Sequence, residues 1–337
     1  MRALLFRSPG EPLALETIPD PEPGEGEVVI RVARCGVCGT DVHATSGHGF
    51  VLPAGSQLGH EYGGEVVAVG KNVDRLAVGD RIAAMTVVGC GQCEGCKSGI
   101  DLLCTNQYVG YAHGLAEYAR VSARGATKLP ATMSLADSAL VEPFAVGCRA
   151  VRLSDVQRDA KIVIIGPGPI GLSVLFWLRK RGVENVVMLA SSDRRRTLTE
   201  SMGGDKFVVE KDSAGEEIRA ILGGAPDIVF EAAGVPGVVG RAIDLVRPGG
   251  TIIGLGFCLQ PDTIIPGMAM IKDVTIRWST TFTREDFAAC ADAIDKDAVL
   301  ARSLVSTVVG MEQASAAFED FRNGKGGSGK LQIDPWS

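Results

Sequence analysis

The apolar residues of this chain fall into two textures. Up to about residue 150 they come in short runs broken by glycine and proline, as in 28–32 (Val-Val-Ile-Arg-Val), 64–69 (Gly-Glu-Val-Val-Ala-Val) and 116–121 (Ala-Glu-Tyr-Ala-Arg-Val). Short runs rich in β-branched and aromatic residues, bounded by turn formers, predict strands. Their irregular spacing predicts a partly open β-barrel. Near residue 160 the texture changes. The stretch 161–165 (Lys-Ile-Val-Ile-Ile) is apolar at almost every position, which marks a strand covered on both faces. Helical patterns then alternate with strands expected at 185–189, 207–209, 227–231, 251–255 and 274–278. That alternation predicts a doubly wound parallel sheet. Beyond residue 283 a helix is expected over 285–295, a strand near Val305, a helix over 311–322 and a last strand near Leu331, all returning to the first domain. The expected fold class is α/β, with one domain over 1–150 completed by 284–337 and a second over 151–283.

The most apolar window, 162–178, holds three glycines and two prolines, so it reads as strand, turn and helix start and not as a membrane span. Net charge is −6, with no long basic run, which argues against nucleic acid as a partner. The apolar run at the amino terminus is too short for a signal peptide. The expected compartment is a reducing cytoplasm, where cysteines serve as metal ligands more readily than as disulfides.

Within the second domain, Gly166-Pro-Gly168-Pro169-Ile170-Gly171 follows the strand 162–165 and opens a helix. In this context the glycines give a tight turn, backbone approach to a pyrophosphate, and close helix–strand packing. The helix N-terminus favours phosphate charge, and Pro169 suits a first helical position. A dinucleotide cofactor is therefore expected. An NAD site closes its second strand with Asp or Glu, about twenty residues on. Here that place falls on Ala190, followed by Ser191, Ser192, Asp193, Arg194, Arg195 and Arg196. A small residue with serines and arginines suits a 2′-phosphate, so NADP(H) is expected in preference to NAD(H). Asp193 lies three residues late and can cap the next helix.

Four of the nine cysteines, Cys90, Cys93, Cys96 and Cys104, fall within fifteen residues. Four thiolates at such spacing close a tetrahedral zinc site of the structural kind. The alternative is a pair of disulfides, but several of these cysteines are too close in sequence to pair without strain. A second constellation is differently built. Cys35-Gly-Val-Cys38-Gly-Thr40-Asp41-Val-His43 is one half, Gly59-His60-Glu61-Tyr-Gly-Gly64 another, and Glu142 in Val-Glu-Pro-Phe a third candidate. A zinc that does chemistry keeps three protein ligands and one open position, and Cys38, His60 and one carboxylate would supply them.

These motifs resemble the zinc-dependent medium-chain dehydrogenase/reductase family of alcohol and polyol dehydrogenases. The stretch Gly59-His-Glu-x-x-Gly64, followed by Gly70 and Val73, carries the family signature without a gap, and the likeness covers the whole chain. It implies a GroES-like catalytic domain and a Rossmann cofactor domain. It implies two zinc ions per chain, one held by Cys38 and His60 with Glu61 and Glu142 sharing the third place, the other by the four-cysteine lobe. It implies a small alcohol or ketone substrate, with zinc acting as a Lewis acid on the substrate oxygen. Thr40 matches the relay hydroxyl, His43 the relay imidazole beyond the cofactor ribose, and Asp41 a carboxylate that orients a ligand histidine. Arg277 matches an arginine that polyol enzymes use near the substrate, and equally reads as a strand arginine at a subunit edge. Ala44 stands where polyol enzymes often carry a tyrosine, which counts against a sugar alcohol. His48 reads as a loop residue; Cys148, Cys258 and Cys290 read as small core hydrophobes. The resemblance further implies a homodimer or homotetramer joined along the strand 274–278. The reaction expected is hydride transfer between a secondary alcohol, or its ketone, and NADP(H), with an NAD-dependent polyol or diol dehydrogenase as the alternative.

Overall fold

A computed structural model describes residues 1–47, 52–106 and 109–337. The first part of the chain forms β1 (Arg2–Leu5), β2 (Ala14–Thr17), β3 (Glu27–Gly36), α1 (Gly39–Thr45), β4 (Glu61–Val69), β5 (Arg81–Ala84), β6 (Val87–Val88), α2 (Glu94–Lys97), β7 (Val109–Gly110), β8 (Tyr118–Ser122) and β9 (Ala126–Lys128). Helix α3 (Val141–Leu153) leads into β10 (Ile162–Ile165), α4 (Pro169–Lys180), β11 (Val186–Ala190), α5 (Arg196–Ser201), β12 (Phe207–Val209), α6 (Ala214–Leu222), β13 (Ile228–Glu231), α7 (Val238–Leu245), β14 (Thr251–Gly254), α8 (Pro266–Ile271) and β15 (Thr275–Trp278). The chain then returns through α9 (Arg284–Lys296), α10 (Ala298–Arg302), β16 (Val305–Gly310), α11 (Met311–Arg322) and β17 (Lys330–Asp334).

Two compact units result: Met1–Glu142 with Thr283–Ser337, and Pro143–Phe282. In the first, one sheet has the order β16-β17-β3-β4-β5-β9, with β8 also on β3. This is the GroES-like, partly open barrel. Its long central strand β3 pairs with β4 over most of its length, and its end pairs with β17 through Gly36↔Gln332 and Cys35↔Ile333. Alternate residues Val28, Ile30 and Val32 point inward and meet Val66, Ile82, Val121, Met311, Phe318 and Ile333 in one core. Each fully buried side chain of this size contributes roughly 1.5–3 kcal/mol of burial free energy.

The second unit is the doubly wound sheet, all parallel in the order β12-β11-β10-β13-β14-β15. Its central strands are buried at every position, which explains their unbroken apolar sequence. The order reverses between β10 and β13, and in such sheets ligands bind beyond the strand ends at that switch point. The glycine loop after β10 lies there.

Candidate active site

Cys38 follows β3 and is the N-cap of α1, and His60 stands immediately before β4, so the β3–β4 ladder brings the two segments together. At the end of that ladder Gly36 pairs with Glu61. One donor atom each from Cys38, His60 and Glu61 lie within 4.8 Å of one another.

Asp41 organises the cluster. Its Oδ2 accepts the Cys38 backbone N–H at 2.9 Å, and its Oδ1 lies 3.2 Å from His60 Nδ1. Burial works against ionisation of Asp41. The charge and hydrogen bond of His60, the Cys38 N–H and the charge of Lys330 outweigh it and hold the carboxyl below its usual range. An ionised carboxylate only accepts, so His60 donates from Nδ1, and Nε2 is the ring nitrogen a metal could take on displacing its proton. Burial lowers the His60 pKa, but Asp41 and Cys38 more than reverse this and raise it well above its ordinary value, so the cluster attracts positive charge.

Glu61 is fully buried. Lys330, heading β17, is paired with its Oε1 and donates to Val37 O at 3.3 Å. Glu61 Oε2 is buried with no hydrogen-bond partner and packs over the bare Cα of Gly36, where a methyl group would overlap it. A buried carboxylate with one orphaned oxygen, grouped with a thiol and an imidazole, suits a divalent cation. Glu142, half-buried at the start of α3, lies outside this three-donor group. Burial pushes its carboxyl up to about 7; His60 pulls it down and Glu61 opposes its ionisation. Thr40 Oγ1 is 3.7 Å from Cys38 Sγ, and His43 is half-buried in the last turn of α1.

The four-cysteine lobe is also assembled. The sulfurs of Cys90, Cys93, Cys96 and Cys104 lie within 4.8 Å of one another, and no cysteine of the chain forms a disulfide. Backbone N–H groups of Cys96 and Thr105 draw Cys93 down to about 5, while burial pushes Cys96 up to about 12. Four sulfurs this close are a donor set that could hold one tetrahedral cation. The lobe is tied down by Asp101, whose buried carboxylate pairs with Arg284 at the start of α9.

In the second unit Gly166 has φ +97°, and a Cβ there would meet Ala233 N at 2.9 Å, so the loop after β10 lies close against the loop after β13. A Cβ on Gly171 would run into Gly166 O, whereas one on Gly168 would find only Arg195 Nη1 at 3.9 Å. The loop is tight behind and open toward Arg195. Pro169 and Ile170 begin α4. Ala190 ends β11 and is buried, Ser191 and Ser192 are exposed, Arg194 is exposed and Arg195 half-buried. Asp193 is engaged by Arg196 at 2.6 Å, and Arg196 stacks on Phe207. An anion site at the glycine loop with cationic guanidinium beside it fits a phosphorylated dinucleotide.

Other expected positions separate. Arg277 is exposed on β15 and donates to Leu153 O at 2.8 Å. Cys290 is a core residue, but Cys148 is half-buried and Cys258 lies in a half-exposed loop, its thiol donating to Gln260 O, because the chain after β14 leaves the sheet. Ala44 is buried in α1. His48 and its neighbours 49–51 lie outside the described residues. Lys330 and Gly36 went unnoticed in the sequence. A lysine at the head of the expected strand near Leu331 was the one signal for the first.

The alcohol dehydrogenase GroES-like domain profile matches residues 24–131, and the zinc-binding dehydrogenase profile matches residues 169–296. Sorbitol dehydrogenase of Gallus gallus is 31% identical over 96% of this chain and 94% of its own. The chain belongs to the zinc-dependent medium-chain dehydrogenase/reductase family. Among solved structures, the rspB alcohol dehydrogenase of E. coli CFT073 complexed with NADH is similar with TM-score 0.89 and 26% identity, covering 99% of both chains. A Sinorhizobium meliloti 1021 protein bound to NADP reaches TM-score 0.88 and 28% identity, again over 99% of both. This is a family of zinc-type alcohol and polyol dehydrogenases, and the two solved neighbours carry NADH and NADP respectively. Among the described residues no helix is long and apolar enough to cross a membrane.

Proposed function

We propose that this chain interconverts a secondary alcohol and its ketone with NADP(H), using one zinc ion at Cys38, His60 and Glu61 and a second in the four-cysteine lobe. The observation that carries the first site is the meeting of three unlike donors within 4.8 Å, one of them from a buried carboxylate that keeps one oxygen without a hydrogen-bond partner. Glu61 is the direct carboxylate donor in this reading, and Glu142 acts through water. Bound zinc supplies Lewis acidity toward the substrate oxygen, and the nicotinamide supplies or takes the hydride.

The chain's own residues do the rest. Asp41 fixes the His60 ring so that Nε2 is the nitrogen left to the metal. Thr40 Oγ1 takes the proton of the substrate hydroxyl, and the His43 ring releases it to solvent. Gly166, Gly168, Pro169, Ile170 and Gly171 cradle the pyrophosphate. Ser191, Ser192, Arg194 and Arg195 hold the 2′-phosphate, with Ala190 leaving room for it.

The protein works in the cytoplasm as a homodimer or homotetramer. β15 ends its sheet, and Trp278 on it is 62% exposed, with Met270 and Ile271 of α8 at 77% and 76%. An apolar edge of this kind is suited to pairing with a second copy. The alternative is an NAD-dependent polyol or diol dehydrogenase, which the Glu142-Pro143 pair and the sorbitol dehydrogenase relative favour. A panel of secondary alcohols, diols and ketones assayed with both cofactors separates the two. Turnover with NAD at least equal to turnover with NADP would reject the first.

A further inference from the structure

Lys330 is a buried cation with a defined task to explain. It is 3% exposed, and burial opposes its charge. Its Nζ meets the Glu61 carboxylate as an ion pair, with the ammonium donating. Its contacts are Glu61 Oε1 and Val37 O. It therefore grips the residue just before Cys38 and the residue just after His60, across 269 residues of sequence in the second case. Glu61 has one oxygen taken by this ammonium and the other left without a donor over Gly36.

We propose that Lys330 is a positioning residue that competes with the zinc ion for the Glu61 carboxylate, holding one oxygen so that Glu61 offers the ion only the other. The inference rests on the reading that Cys38, His60 and Glu61 hold zinc. A carboxylate shared with an ammonium is a weaker donor than a free one. Sharing leaves the ion more electrophilic and keeps a coordination position open for substrate. Without the ammonium, Glu61 is a buried anion with only the ion to neutralise it, and the repulsion between ammonium and ion is gone. Both changes tighten the hold on zinc and close the open position.

The test compares Lys330→Met, Lys330→Gln and Lys330→Arg, and adds Lys330→Met in a Glu61→Gln background. Zinc release to a chromophoric chelator is followed for each zinc-loaded protein, with the cysteine-lobe ion as internal control. The visible spectrum of the cobalt-substituted site reports coordination number. Lys330→Met and Lys330→Gln should lose the catalytic ion at least about tenfold more slowly than the parent protein, on the order expected for removing a nearby like charge. Their cobalt absorption should weaken as coordination rises. Lys330→Arg should behave as the parent, and the slowing should vanish when Glu61 is Gln. Release as fast as the parent's or faster overturns the inference, as does failure of both neutral variants to fold with zinc supplied, since the ion should then replace the ammonium. A parent protein that holds zinc only in the cysteine lobe instead defeats the underlying metal reading, and the inference with it.

Discussion

Removal of Arg195 is the sharpest probe of the cofactor assignment. Its guanidinium overhangs the open side of the glycine loop, 3.9 Å from the position a Cβ on Gly168 would take. Burial, and then the charge of Arg194, lower its pKa. A 2′-phosphate bound between the two guanidinium groups would relieve that opposition. A hydrogen bond to a charged group contributes about 1.5–3 kcal/mol, and each 1.4 kcal/mol is about tenfold in affinity. Because Arg195 is half-buried, solvent screening argues for the lower part of that span. Arg195→Ala should therefore raise KM for NADP about ten- to thirtyfold. It should leave KM for NAD within about twofold, because NAD has no 2′-phosphate to lose. Initial rates with each cofactor at fixed ionic strength measure this, and fluorescence titration gives the binding constants without turnover. The parent's KM for NADP should also climb with salt more steeply than that for NAD, which has only the pyrophosphate charge to screen. If Arg195→Ala shifts both cofactors equally, the guanidinium touches something common to both, and the 2′-phosphate reading is wrong.

Asp41→Asn should lower zinc affinity at Cys38 and His60 about ten- to a hundredfold, since the amide no longer enforces the His60 tautomer; zinc per chain after dialysis against chelator should fall from two toward one. Gly36→Ala drives a methyl group into Glu61 Oε2 and should cost about 1–3 kcal/mol in a urea titration, with loss of the same zinc ion. Cys96→Ser should remove the lobe's zinc and leave the other, so a protein that loses both would refute the independence of the two sites. Arg284→Ala deprives buried Asp101 of one partner while Arg124 remains at 3.7 Å, and the lobe should become cleavable by protease at lower chelator concentration.

What could be read in the sequence follows a physical divide. β10, β11 and β13 were legible because both their faces are covered, so every position is apolar. The return of the chain through α9, α11 and β17 was legible from helical periodicity. The expected strand 116–121 lies at Tyr118–Ser122, a displacement typical of strand ends. β1, β2, β5, β6, β7 and β9 were not expected, being two to four residues long and too short to show an alternating pattern. Helix α3 was not legible because Pro143 reads as a helix breaker, whereas it sits in the first turn, where proline is tolerated. The thiol and imidazole donors announced themselves by spacing, since metal ligands must come close together in space and short spacing is the cheapest way. Lys330 could not announce itself. Its partner is contributed by β4, and only the pairing of β17 with β3 brings them together.

The strand ladder therefore does more than support the site. Side chains on a strand alternate between faces, so a slip of one residue between β3 and β4 would turn Glu61 away from Cys38 and present Tyr62 in its place. The ladder's register is held by Val28, Ile30 and Val32 entering the core on one side and by the close fit of Gly36 against Glu61 on the other. β17 adds a second constraint, because Gln332 must face Gly36 for Lys330 to reach Glu61. Cys38, His60 and Glu61 are thus placed by long-range pairing of three strands, although each is recognised by its short-range motif. That is why the same core residues that stabilise the barrel also set the distance between the metal donors.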